Sequence, residues 1–243
     1  MAHNQEKANA AADETMVDVI VLGVGTCGED LSLRLLKAGL EVAGLDGSTG
    51  YIPVDKHMRA GDGLWAMGDV TAKALFTHVA EYQSAIVAAG ILGLDHPPAR
   101  YDAVPRATFT DPEVGSVGLT EAEARAAGHD VIVIVKQLAA TFRGWLHRSG
   151  SGIIKLVVDR ENGLLLGATT VGPHGAEMMG FLSLAVHARV PVAELQNMIY
   201  AFPSFYGAIG EAVGAYGRGL MAAMDPTYDG FDLLDQVTDQ LIN

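Results

Sequence analysis

The 243-residue chain is 49% hydrophobic and 19% charged, a composition typical of globular proteins and sufficient for one or two domains with buried cores. Its formal net charge of −13 argues against nucleic acid as a partner, because phosphate backbones are bound by clustered Lys and Arg. No segment reaches the roughly 20 consecutive apolar residues of a membrane span, so we expect no membrane association. A single cysteine, Cys27, and a polar N-terminus without the apolar core of a signal peptide favour a cytoplasmic protein.

Five consecutive regions are predicted along the chain. Residues 1–15 are rich in Ala, Asn and charge and are expected to form a disordered tail, whereas residues 16–94 have the pattern of a Gly-rich α/β domain. Residues 95–105 are predicted to be a linker, because two consecutive prolines interrupt both helix and sheet. Residues 106–220 form a second domain with denser strand signals. Residues 221–243 have the apolar spacing of an amphipathic helix and are predicted to form a C-terminal helical tail.

The first domain begins with a glycine-rich turn. An apolar strand predicted at residues 17–22 runs into Gly23, Gly25 and Gly28, and a helix-like segment follows. The first glycine permits a tight turn, the second lets the backbone approach a pyrophosphate, and the third lets helix and strand pack closely. Asp46, at the end of the next predicted strand, is placed to accept hydrogen bonds from a ribose. The pattern predicts nucleotide binding, with a glycine-rich turn of some other α/β protein as the alternative.

A second glycine–acid motif lies further along the same domain. A short apolar strand delivers Gly68 and Asp69 at its end, and a helix predicted for residues 77–93 begins with Thr77 and His78. The two glycine–acid motifs are therefore interpreted as two halves of one nucleotide site.

The second domain combines strand and helix signals. Thr120 and Glu123 form a capping box, and residues 131–135 are a continuous apolar β-branched run that predicts a central buried strand. Asn162 and Gly163 predict a hairpin turn. The predicted elements are strands at 114–119, 131–135, 153–159 and 164–171, and helices at about 175–188, 191–199 and 204–218.

Taken together, these motifs resemble the pyridine nucleotide-disulfide oxidoreductases, the flavoprotein family of dihydrolipoamide dehydrogenase, glutathione reductase and mercuric reductase. In the second domain the resemblance rests on residues 109–120 and on the Gly-Pro-His-Gly-Ala-Glu segment at 172–177. The resemblance implies an α/β fold in which a truncated Rossmann-type FAD-binding domain precedes an α+β dimerisation domain. It also implies a homodimer that associates through residues 106–220. His174 and Glu177 are expected to be structural residues of a helix N-terminus.

FAD is the cofactor that the resemblance implies. In the family the glycine turn binds the FAD pyrophosphate, the acid matching Asp46 binds the adenosine ribose, and the Gly-Asp motif binds the ribityl and phosphate region. The helix start near His78 contributes backbone N–H groups near the flavin ring. The cofactor-binding residues implied for this chain are Gly23, Gly25, Thr26, Gly28, Asp46, Gly68, Asp69, Thr77 and His78.

The chain departs from the family between the two glycine–acid motifs. Only residues 47–50 separate Asp46 from the segment that precedes the Gly-Asp motif, whereas the family places its redox-active cysteine pair and its NAD(P) domain in this interval. A second GxGxxG motif is absent, so we expect no separate NAD(P) site. The eight histidines include no HxH or HxxH pair, so no metal site is predicted either.

The family's C-terminal acid–base motif is altered as well. Its usual His-Pro reads Phe202-Pro203 here, and the position of the partner glutamate is Gly207, with Glu211 one helical turn away. Phenylalanine transfers no proton. Tyr200 and Tyr206 are poor bases at neutral pH and are expected to serve packing. No catalytic residue is therefore predicted.

Two functional classes remain from the sequence. The first is a non-catalytic family member that retains dimerisation and at most partial FAD binding. The alternative is an active FAD-dependent NAD(P)H oxidoreductase that works through flavin alone.

Overall fold

The computed structural model describes residues 50–150 and 152–224. They divide into two compact units, one ending at Ala99 and the other beginning at Arg100. The strand–helix–strand pattern predicted within residues 17–46, the N-terminal tail and the chain after Met224 lie outside the described residues.

The described part of the first unit consists of a small ribbon and one long helix. Strands β1 (Arg59–Gly61) and β2 (Leu64–Trp65) pair antiparallel, and helix α1 spans Thr77–Leu92. The helix ends where Gly93 adopts a left-handed conformation with φ 66°, as glycine does at helix C-termini. The helix prediction for 77–93 is confirmed to within one residue, while the strand ending near the Gly-Asp motif is only two residues long.

The second unit is built on a five-stranded antiparallel sheet. The strands are β3 (Arg106–Thr108), β4 (Glu113–Gly118), β5 (Val131–Gln137), β6 (Ile153–Asp159) and β7 (Leu165–Gly172), and the helices are α2 (Glu121–Ala126), α3 (Phe142–Leu146), α4 (Gly175–His187), α5 (Val192–Gln196) and α6 (Phe205–Met224). The strand order is β3-β4-β7-β6-β5. Helix α4 packs against β4 and β7, and helix α6 packs against β5 and β6. The mixed α/β class predicted from the sequence is confirmed.

Two local predictions in this unit are confirmed by its hydrogen bonds. The Thr120 hydroxyl accepts from the Glu123 N–H at 3.2 Å, and the Glu123 carboxylate accepts from the Thr120 N–H at 2.8 Å, which completes the capping box. Strands β6 and β7 form the predicted hairpin, with Gly163 at φ 63° in its turn. Local sequence signals therefore place both features correctly.

The prediction that residues 131–135 form a central strand is wrong. Strand β5 lies at the edge of the sheet and, among the described residues, pairs with β6 alone. Its apolar run is explained by helices on both faces: Ile134 joins the main core beside α6, and Val131 packs with Ala124 of α2. Val135 is 54% exposed. Helical cover can therefore make an edge strand as apolar as a central one.

The main core fills the space between this sheet and helices α4 and α6. Leu156 and Val158 of β6 face Leu182 of α4 and Ile209 and Val213 of α6, and all five side chains are fully buried. No helix within the described residues is long and apolar enough to cross a membrane.

Candidate functional site

Gly68 gives the Gly-Asp motif a backbone conformation that suits glycine. Its φ of 82° and ψ of −162° lie in a region that is essentially restricted to glycine. The Gly68 carbonyl accepts hydrogen bonds from the Thr71 N–H at 3.0 Å and from the Thr71 hydroxyl at 2.8 Å. Thr71 is buried, so both bonds are shielded from water. These two hydrogen bonds therefore hold the turn in one conformation.

Asp69 is the first residue of the short 3-10 helix Asp69–Thr71 and is partly exposed. Its carboxylate makes no hydrogen bond and no ion pair with any other side chain or backbone group in the described residues. A carboxylate fixed on a rigid turn can accept hydrogen bonds from the hydroxyl groups of a ligand.

Helix α1 begins with Thr77 and His78, the other residues predicted for this half of the site. Phe76 is the N-cap in an extended conformation and provides no side-chain cap. The first intrahelical donors are Val79 and Ala80, whose N–H groups bond to the Phe76 carbonyl at 3.0 and 3.1 Å. The N-cap residue thus provides no side-chain acceptor, and the helix start has the positive end of a 16-residue dipole.

Gln83 connects the turn to this helix and was missed by the sequence analysis. Its Oε1 accepts the Gly68 N–H at 2.6 Å, and the side chain is fully buried. The helix face that it shares with Val79 and Ile86 is apolar. The sequence gives no clear signal for this role, because apolar residues are spread around helix α1 and mark no single buried stripe.

The other half of the predicted site is not described. Gly23, Gly25, Thr26, Gly28 and Asp46 all lie outside the described residues, so the structure describes only the Gly68–His78 half.

The altered acid–base motif has the packing role predicted for its tyrosines. The Tyr200 hydroxyl donates to the Leu195 carbonyl at 2.7 Å, and the Tyr206 hydroxyl accepts the Ala201 N–H at 2.9 Å. Burial, with a further contribution from Tyr206, raises the pKa of Tyr200, which disfavours its action as a base. Glu211 pairs with Lys136 at 3.4 Å.

An exposed aromatic patch surrounds Phe202. We define it as Phe142, Trp145, Leu146 and Phe202, which are 40%, 52%, 47% and 72% exposed. The ring centroid of Phe142 lies 4.9 Å from that of Phe202 and 5.6 Å from that of Trp145, so the patch is contiguous. An open groove of about 590 Å³ is lined by Trp145, Leu146 and neighbouring residues. Such contiguous apolar surface is typical of association sites.

His174 and Glu177 occupy the helix N-terminus predicted for them. His174 is the N-cap of α4 with φ 59°, and Glu177 lies in the first turn. The His174 ring packs 5.4 Å from that of Phe205, over which Arg143 also lies. No group of three or more His, Cys, Asp or Glu side chains suited to a metal ion occurs among the residues with described coordinates.

Comparison with known proteins identifies the second unit. Residues 104–213 match the family model of the pyridine nucleotide-disulphide oxidoreductase dimerisation domain. Dihydrolipoyl dehydrogenase of Haloferax volcanii is 30% identical over 88% of this chain and 45% of its own length. The enzyme of the same name from Zymomonas mobilis is 35% identical over 75% of this chain and 40% of its own length. The chain thus spans less than half the length of these relatives.

Solved structures give the same result. LpdA of Mycobacterium tuberculosis superimposes with a TM-score of 0.65 at 28% identity over 69% of this chain and 37% of its own. The HOCl-induced flavoprotein disulfide reductase RclA of Escherichia coli gives a TM-score of 0.62 at 29% identity, covering 69% of this chain and 39% of its own. The similarity therefore extends beyond the 110 or so residues of the family model.

Proposed function

We propose that this chain, which belongs to the pyridine nucleotide-disulphide oxidoreductase family, is a dimerising member with at most a partial FAD site and without the family's dithiol chemistry. Dimerisation is the function that its described residues support best. Cytoplasmic localisation is part of the proposal, since a single cysteine needs no oxidising compartment.

The aromatic patch carries the dimerisation proposal. It lies within residues 104–213, the part of the chain that matches a dimerisation domain. Phe202 is 72% exposed although it is a large aromatic side chain, and exposed aromatics at the centre of a patch supply much of the binding energy of protein interfaces. A two-fold axis would place the patch of one protomer against the patch of the other, or against the surface beside it, in a closed homodimer.

The described half of the cofactor site fits part of an FAD molecule. Asp69 follows the Gly68 turn with a carboxylate that has no protein partner among the described residues, and the N-cap residue of α1 makes no side-chain cap hydrogen bond. Asp69 would hold hydroxyl groups, and the positive end of the α1 dipole, at the helix start formed by Thr77 and His78, would face electronegative atoms. FAD supplies one- and two-electron redox chemistry when it is bound.

The proposal assigns no side chain of this chain a catalytic role. A dithiol couple requires two sulfur atoms, and the sequence has one cysteine. Phe202 replaces the family's acid–base histidine, and Tyr200 keeps its proton. The sequence has no second GxGxxG turn that would bind NAD(P). Any reduction of FAD by NAD(P)H would therefore take place directly at the flavin.

The absorbance spectrum of the purified full-length chain tests the proposal. We expect a protein that is colourless as isolated, or that takes up added FAD without bleaching when NADH or NADPH is added. A yellow protein that bleaches with either nucleotide would establish the alternative, an active FAD-dependent NAD(P)H oxidoreductase. Light scattering on the same sample separately tests the dimer, for which we expect twice the 25.5 kDa chain mass.

A further inference from the structure

We infer that Gln83 is a positioning residue that fixes the Gly68–Asp69 turn and thereby sets the affinity of this half-site for FAD. The ligand part of this inference rests on the proposed function. The part that concerns the turn is independent of any ligand.

The burial of Gln83 requires a polar partner, and the turn provides it. Gln83 is 0% exposed and lies on the same face of α1 as Val79 and Ile86, which are 3% and 1% exposed. Burying a primary amide among apolar groups is costly unless its polar atoms are hydrogen-bonded. Its Oε1 accepts the Gly68 N–H at 2.6 Å across 15 residues of sequence. The amide therefore ties the turn to the helix.

Both peptide groups that flank the Gly68 α-carbon are held. Gln83 binds the Gly68 N–H on one side, and the Thr71 N–H and hydroxyl bind the Gly68 carbonyl on the other at 3.0 and 2.8 Å. Glycine has more backbone freedom than any other residue, so an unrestrained Gly68 would sample many conformations. With both peptide groups held, the orientation of the backbone at Asp69 is fixed. Gln83 thus pre-organises the carboxylate, and pre-organisation raises affinity by lowering the ordering cost of binding.

Two substitutions separate the hydrogen bond from the packing. Gln83→Met keeps the length of the side chain and removes both its acceptor and its amide donors, whereas Gln83→Glu keeps the acceptor oxygen and loses only the amide NH2. Ile86→Val is the matched control, because it alters an equally buried position on the same helix without touching the Gly68 N–H. All variants are made in the full chain and checked for folding by circular dichroism.

The readouts are the exchange rate of the Gly68 amide proton and the dissociation constant for added FAD, measured by flavin fluorescence. In Gln83→Met we expect Gly68 exchange to accelerate about tenfold and the FAD dissociation constant to rise about tenfold, the effect of losing one buried hydrogen bond. Gln83→Glu should stay within about threefold of the parent for both quantities. Ile86→Val should leave both unchanged.

Each outcome decides one part of the inference. Equal FAD affinity and equal Gly68 exchange in the parent and Gln83→Met overturn it. A parent that binds no FAD overturns the cofactor part of the proposed function, while the exchange rates still decide whether Gln83 holds the turn. If Gln83→Met does not fold, the parent protein decides: a Gly68 amide that exchanges at the rate of an unstructured peptide overturns the inference, and a protected one supports it.

Discussion

The two units of this molecule differ in how they hold their functional residues. The second unit has a five-stranded sheet with a core in which Leu156, Leu182 and Ile209 are 0% exposed. The described part of the first unit has a two-stranded ribbon and one helix, and its Gly-Asp turn is held by hydrogen bonds from single residues. The comparison teaches that the proposed association and the proposed cofactor binding depend on different physical terms: buried apolar area in the second unit, and a few directed bonds in the first.

Removing a core side chain from the second unit should have the largest effect. Leu156→Ala leaves a cavity at the interior strand β6 and should lower the free energy of unfolding by about 2–5 kcal/mol. Urea unfolding followed by circular dichroism measures it. The matched control is Leu184→Ala, because Leu184 is 61% exposed and its loss should change the free energy by less than about 0.5 kcal/mol. Equal effects of the two changes would contradict the account of the core.

A charge in the aromatic patch should separate association from folding. Trp145→Asp introduces a carboxylate next to Phe142 and should weaken the dimer at least about 100-fold, since a desolvated charge opposes association while a side chain that is 52% exposed tolerates replacement. Sedimentation velocity over a concentration series measures the dissociation constant. Leu75→Asp in the first unit is the control, being 65% exposed and outside residues 106–220, and should leave the dimer intact.

Two glycine substitutions should have opposite signs in the two units. Gly68→Ala forces a side chain into a conformation with φ 82° and should lower the free energy of unfolding by about 1–3 kcal/mol. Gly180→Ala lies within helix α4, where an added β-carbon meets nothing within 4 Å, and should raise it by about 0.5–1 kcal/mol. Thermal unfolding of both variants against the parent measures the difference. A neutral Gly68→Ala would show that the turn is less constrained than its hydrogen bonds indicate.

The smallest predicted effect is a pH dependence in the hairpin of the second unit. Burial raises the pKa of Asp159, but hydrogen bonds from Asn162, His129 and the Glu161 N–H outweigh it and hold the pKa below its usual value. Because the folded-state pKa is the lower one, this carboxylate stabilises the fold above its unfolded pKa of about 3.9, and the stabilisation is lost as pH falls through the folded value.

Asp159→Asn should therefore be less stable than the parent at pH 7, and the difference should shrink as the pH is lowered below about 4. Urea unfolding at a series of pH values measures this. Asp130→Asn is a suitable control, because the Asp130 side chain is 66% exposed in its ion pair with Arg160. A difference for Asp159→Asn that is constant with pH would show that the carboxylate is not ionised differently in the folded state.

Local signals in the sequence predicted much of the second unit. The Thr120 capping box and the Asn162-Gly163 turn depend on residues close together in the chain, so their structures follow from local chemistry. The position of β5 in the sheet could not be predicted, because helices on both of its faces make this edge strand as apolar as a central one. Helix α3 was missed because its five residues are too few for a periodic pattern.

The candidate site was predictable only in part. Gly68 and Asp69 were predicted because a glycine followed by an acid at a strand end is a recognisable motif, and Thr77 because the segment around it resembles the family's helix start. Gln83 was not found, since its role depends on a contact across 15 residues. The aromatic patch was also missed: Phe142 and Phe202 are 60 positions apart in the printed sequence, and only the fold places their rings 4.9 Å apart.

The mass of the fragment 95–243 in solution tests the central claim most directly. If association resides in the second unit, size-exclusion chromatography with light scattering will find this fragment as a dimer, like the full chain. The main core of that unit draws its buried residues from Val117 to Tyr216, so the fragment retains all of them. A folded fragment that is monomeric at concentrations where the full chain is dimeric would contradict the claim and place the association surface in residues 1–94.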